Sequence, residues 1–207
     1  MRKLFEIGGL VAAVVLIAFG VGALVMGVDG RSTVRDNLAK EQISFGDAAK
    51  DPSVPKQYSG ELVNTGAEAR AFANMMRGHT LESTSGLTYA QMGRYQAKPG
   101  APAKATDGQG GTNDPAYAAT DPQTKQPVSN PARTLWVTET ALTTALNTAY
   151  MAERISVFGI VVGIALLLTG FGFAILAVGG ALRNPETALR FTTKIGKGHT
   201  TSAAPTA

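Results

Sequence analysis

The chain has two histidines, His79 and His199, fifteen carboxylates and no cysteine to do acid–base or metal chemistry with. The missing thiols exclude disulfides, thiol catalysis and cysteine-based metal centres. His79 and Glu82 are three residues apart, which puts both on one face of a helix and offers two donors to a metal ion. Two donors do not make a site, and an ordinary exposed or capped histidine is the simpler reading. Two histidines and one carboxylate would be the ligand set of a non-haem iron centre, if the chain brought them together. No nucleotide-binding glycine motif, Walker motif or Ser-His-Asp spacing is present. Glu139, Glu153, Asp29 and Asp36 are acids without a spacing that pairs them. The expectation is therefore a protein with no catalytic, cofactor or metal residues, not an enzyme.

The elements that would position these groups explain why they stay apart. Two apolar stretches, about 7–28 and 155–182, contain no Asp, Glu, Lys, Arg or His. Each exceeds the roughly 20 apolar residues that cross a bilayer as a helix. The segment between them, 29–154, holds 13 Lys/Arg and 13 Asp/Glu and is neutral. The formal charge of +4 sits on the ends, residues 1–6 and 183–207. Basic residues close to span ends stay cytoplasmic, so both termini are expected inside and 29–154 outside. Arg31, Arg35 and Lys40 follow the first span on the outer side and weigh against that orientation. With it, the membrane separates His79 from His199. The first stretch is longer than a signal h-region and lacks a small-x-small cleavage site, so it reads as an uncleaved signal-anchor. The basic excess flanks apolar spans and forms no patch on a soluble domain, which argues against nucleic acid as a partner. Spans without ionisable groups also argue against a transporter acting alone.

Between the spans the pattern is helical. Val34, Leu38 and Phe45 extend the first helix over 32–45. Thr65-Gly-Ala-Glu68 has capping-box form and opens a helix from Gly66 to about Glu82. Thr88-Tyr-Ala-Gln91 repeats that form and predicts a short helix to Gln96. Residues 98–131, rich in proline, glycine and polar side chains, predict a disordered loop. From Ala132 a helix of about 50 residues runs into the second span. Its Thr-rich, uncharged face reads as packed against the first stalk or another protein. The fold class expected is an all-α membrane protein: two transmembrane helices extended as stalks, a small extracytoplasmic helical domain and a disordered loop.

Leu135, Trp136, Glu139, Leu142, Leu146 and Tyr150 are the candidate interaction face. The lone tryptophan suits an interface anchor, or the cap of a small core. Gly20, Ala23, Gly27, Gly159 and Gly163 supply small residues for close helix approach in lipid. That approach is either between the two spans of one chain or with a second membrane protein or copy. Arg183, Arg190, Lys194 and Lys197 fall on one face of a short tail helix and would contact inner-leaflet lipid. The leading expectation is a structural or accessory membrane subunit. The alternative is a sensor or lipid/small-ligand-binding module with a short cytoplasmic docking tail.

The stretches Thr65-Gly-Ala-Glu-Ala-Arg70, Leu87-Thr-Tyr-Ala-Gln-Met-Gly-Arg94 and Leu135-Trp-Val-Thr-Glu-Thr-Ala-Leu-Thr-Thr-Ala-Leu-Asn-Thr-Ala-Tyr150, with the opening Met-Arg-Lys-Leu-Phe-Glu, resemble a family of small actinobacterial two-span membrane proteins. The resemblance implies the same topology and an actinobacterial envelope setting. Some members of that family carry the label aromatic ring-opening dioxygenase. The residues here argue against that chemistry, because no soluble catalytic domain is present and the histidines are not expected to meet. The resemblance carries no catalytic residue over.

Overall fold

The computed structural model describes residues 2–179. The expectations placed on residues 180–207, including the end of the second apolar stretch and the lipid contacts of Arg183, Arg190, Lys194 and Lys197, lie outside the described residues. The described chain is mostly helical: α1 (Arg2–Lys40), α2 (Gly66–Ser83) and α3 (Pro131–Val178). Helices α1 and α3 are each long and apolar enough to cross a membrane. Strands β1 (Tyr95–Gln96) and β2 (Gly111–Thr112) form a minimal antiparallel pair, Tyr95 opposite Thr112 and Gln96 opposite Gly111. The described residues form two compact units, one from residues 2–29 with 156–179, the other Gly30–Ile155.

In the first unit the apolar lengths of α1 and α3 run antiparallel along a seam of small residues. Ala13, Gly20 and Gly27 are buried at seven-residue intervals on α1, and Gly163, Gly170 and Ala177 at the same interval on α3. A methyl added at Gly163 would lie 2.8 Å from the Leu24 amide nitrogen, and one at Gly170 3.1 Å from the Ala13 carbonyl oxygen. The seven-residue repeat keeps one stripe facing the neighbour. The glycines let backbone meet backbone, where packing is the available source of attraction between helices in lipid. Larger side chains, among them Phe19, Met26, Phe158, Leu168 and Ile175, point outward and are exposed.

The second unit has a conventional core. Leu38 of α1, Phe45, Val54 and Val63 of the following loop, Ala69 and Ala73 of α2 and Leu146 of α3 pack together. Phe45 stacks on Tyr58 and meets Phe72 edge-on. Helix α1 stops at Lys40, short of the expected Phe45. The chain turns at Glu41–Gln42, with Gln42 at φ 54°, and Phe45 folds back into the core instead of extending the helix. Helix α2 starts with the expected reciprocal cap: the Glu68 amide donates to Thr65 Oγ1, and the Thr65 amide to Glu68 Oε2.

Two further sequence expectations are corrected in this unit. Thr88–Gln91 makes a turn and no helix. Gln91 Oε1 accepts from the Thr88 amide and hydroxyl, and the chain then enters β1. Residues 98–131 are ordered by hydrogen bonds rather than by apolar burial. Gln96 sits between two neighbours, donating to the Val128 carbonyl and accepting from the Ala119 amide. Asp107 accepts from the amides of Gly93, Gln109 and Gly111. Asp114 and Asp121 each accept from the amide two residues on. Composition measures apolar content and misses these side chain–backbone turns. Asn130 then caps α3, accepting from the Ala132 amide, with Pro131 at the first helical position.

Candidate functional site

The groups able to do chemistry collect at three places in the second unit. The first joins Asp51, Ser53 and His79. The Ser53 hydroxyl lies 2.6 Å from both Asp51 Oδ1 and His79 Nε2, and Asp51 Oδ2 lies 3.2 Å from the same Nε2. A nucleophile–base–orienter arrangement needs the acid on the other ring nitrogen. Here both oxygens share one nitrogen, on a surface where the His79 and Asp51 side chains are about two-fifths exposed. The cluster clips the 47–55 loop to α2. Ser53 hydrogen bonds, with His79 beside it, hold the Asp51 carboxyl below the ordinary carboxylate range. Sequence reading missed this meeting, because it depends on how the loop folds back. No group of three metal-ligating side chains occurs among the described residues.

The second place is Glu153, buried near the end of the unit's share of α3. Its Oε1 accepts from Nε of Arg31 and Nε of Arg35, each at 3.1 Å. Its Oε2 accepts from the Gly66 amide at 2.6 Å. Burial by itself would raise this carboxyl, but the Gly66 amide and the two guanidinium groups outweigh it and hold it below its ordinary value. Gly66 is required by proximity: a methyl there would meet Glu153 Oε2 at 2.8 Å and the Tyr150 Cα at 2.9 Å. One carboxylate therefore ties α1, the start of α2 and α3 together. Beside it Arg70 and Arg154 lie 4.8 and 5.1 Å from the Tyr150 ring centre. Hydrogen bonds from Arg154 and then Arg70 hold its hydroxyl below the usual tyrosine value. Sequence reading singled out Glu153 as an acid near the apolar stretch but not its two arginines.

The third place is the upper part of α3. Trp136 is buried and donates from Nε1 to the Leu87 carbonyl at 3.0 Å and to Thr84 Oγ1 at 3.3 Å, with Arg77 over its ring. It closes the C-terminal end of α2 onto α3. Of its two expected roles, core cap and interface anchor, it occupies the first. Glu139 is 2% exposed; Thr140 Oγ1 is 3.3 Å from its Oε2, and its Oε1 has no hydrogen-bond partner among the described residues. Leu146 is also buried in the core. So the six expected interaction residues divide: Trp136, Glu139 and Leu146 face inward, Tyr150 is half-buried, and Leu135 and Leu142 are exposed. Gly20, Ala23, Gly27, Gly159 and Gly163 all lie on the α1–α3 seam. Gly159 is the loosest: a methyl there would reach Ala23 O only at 3.6 Å. The tight contacts also include Gly170, outside the expected set.

The outward face of α3 is uncharged. Its exposed positions from Thr134 to Met151 are threonine, alanine, asparagine, Leu135, Val137, Leu142 and Met151, with no charged residue among them. Comparisons of the chain with protein-family models, characterised proteins and solved structures find no match.

Proposed function

We propose that this chain is a non-enzymatic integral membrane protein, a structural or accessory subunit that holds a partner through its extracytoplasmic helices. In this reading residues 7–28 and 155–182 span the membrane as signal-anchor and second span, both termini are cytoplasmic, and 29–154 lies outside as a small helical domain on stalks. The actinobacterial envelope setting implied by the resemblance belongs to the same reading. Support comes from the two long apolar helices and from the basic excess confined to the ends. The observation that carries the partner role is the exposed α3 face. A solvated helix face carries charged and polar residues; this one has threonines and an asparagine but no charge, and its exposed Leu135, Val137, Leu142 and Met151 are apolar side chains of the kind that gather at contact sites.

The test is mild cross-linking in the native membrane, extraction into lipid nanodiscs and identification of what co-purifies, for the native chain and Leu142→Arg. One stoichiometric partner, lost in the variant while the fold is retained, is the expected result. Recovery of the chain alone, or of the same partner with both proteins, would overturn it. The second reading, a sensor or lipid/small-ligand-binding module with a short docking tail, is favoured by a cleft lined by Arg94 and Arg133 at the start of α3.

A further inference from the structure

Tyr89, Arg94, Tyr95, Asn130, Arg133 and Val137 line an open cleft of about 500 Å³ at the start of α3. None of its lining residues is acidic. Arg133 lies over the Tyr89 ring at 3.9 Å. Stacking orients a guanidinium while leaving its in-plane N–H groups unspent. Arg94 is exposed, and its backbone is fixed at both ends. Its amide donates to Asn113 Oδ1, and its carbonyl accepts from the Asn130 amide. Among the described residues neither guanidinium has a carboxylate partner, whereas Arg31 and Arg35 share one. One guanidinium oriented by stacking and a second carried on an anchored backbone, both lining one cleft without a counter-charge, are the chemistry of oxyanion recognition. Tyr89, Tyr95 and Val137 add aromatic and apolar surface to the lining for the body that carries the anion.

We infer that this cleft binds an acidic ligand, a carboxylate or phosphate carried on a sugar-like ring. The assignment shares Val137 with the exposed α3 face but rests on Arg94 and Arg133, which lie outside that face.

The test uses the full chain in nanodiscs of neutral lipid. Binding of glucuronate, glucose 6-phosphate and glucose is measured by calorimetry for the native protein, Arg94→Gln and Arg133→Gln. At least one acid is expected to bind saturably, tenfold or more tighter than glucose, and both variants are expected to weaken it at least tenfold. The acid that binds distinguishes a carboxylate source from a phosphate source. Arg94→Gln changes an exposed side chain, so its thermal unfolding should match the native protein and keep the test independent of folding. The inference is overturned if glucose binds equally well, if Arg94→Gln binds as the native chain does, or if neither acid binds up to about 10 mM, the range of the weakest specific sites.

Discussion

Each of the two units is held together internally by its own kind of contact. The α1–α3 seam of the first has no charge and relies on backbones brought close by glycine and alanine at seven-residue steps. The 84–130 layer of the second has few large apolar residues and relies on carboxylates and amides that satisfy backbone groups. Attraction along the seam is spread over many weak contacts, so it fails only when something bulky is inserted. The polar layer concentrates its stability in a few acceptors, so it fails when one is removed.

The largest effect is expected from insertion at the seam. Gly163→Leu must displace the α1 backbone at Gly20 and Leu24, at a cost of about 3 kcal/mol for overpacking. Gly172→Leu, where a methyl meets nothing within 4 Å, should cost little. Reversible unfolding in mixed micelles measures both, and equal losses would remove the seam's special standing. Removal of an acceptor from the polar layer comes next. Asp107→Ala strands three amides, two of them partly buried, and should cost about 2 to 3 kcal/mol. Hydrogen exchange would localise the loss to 93–130 and leave the seam protected.

Glu153→Gln is expected to cost about 2 kcal/mol, the scale of hydrogen bonds to a charged group, because Arg31 and Arg35 remain half exposed to water. The carboxyl is held below its ordinary value in the folded state. Its contribution is thus complete above the unfolded value of about 4.3 and disappears as pH falls through the lower folded value. Unfolding followed from pH 6 to pH 3 should show a steeper slope in the native chain than in the variant, which keeps the contributions of Asp51, Asp107 and Asp121. The smallest effect is at the surface clip. Ser53→Ala removes the largest cause of the Asp51 shift, so an NMR titration should find that carboxyl closer to its ordinary value, with stability barely changed.

The same contrast decides what the sequence could reveal. Helices α1 and α3 were legible because apolar length and small-residue spacing are local properties, and the Thr65–Glu68 cap because its pattern is four residues long. The order in 98–131 was not legible from composition, although Asp107-Gly-Gln, Asp114-Pro-Ala and Asp121-Pro-Gln each carry a turn-forming acid two residues before its amide. The capping pattern at Thr88 misled for the opposite reason. Its local hydrogen bonds form, but Gly93 follows within one turn, and the chain there passes so close to the Thr112 backbone that a side chain would collide. The candidate sites were legible only in part. Glu153 stood out as an acid, but its partners Arg31 and Gly66 are 122 and 87 residues away. The inward turn of Trp136 depends on Leu87 and Thr84, about fifty residues back.

Those separations also set an order of assembly. Arg31, Arg35 and the opening amide of α2 leave the ribosome long before Glu153 exists, so each waits for the same late residue. Closing so long a loop adds only slowly to the entropic cost with length, but it cannot begin until α3 has been made. At about 5 to 20 residues per second, the early part of the chain spends several seconds with its α2 cap formed and its carboxylate acceptor missing. Truncation before residue 153 should therefore yield a nascent chain that keeps the Thr65–Glu68 cap but whose two arginines remain open to other anions.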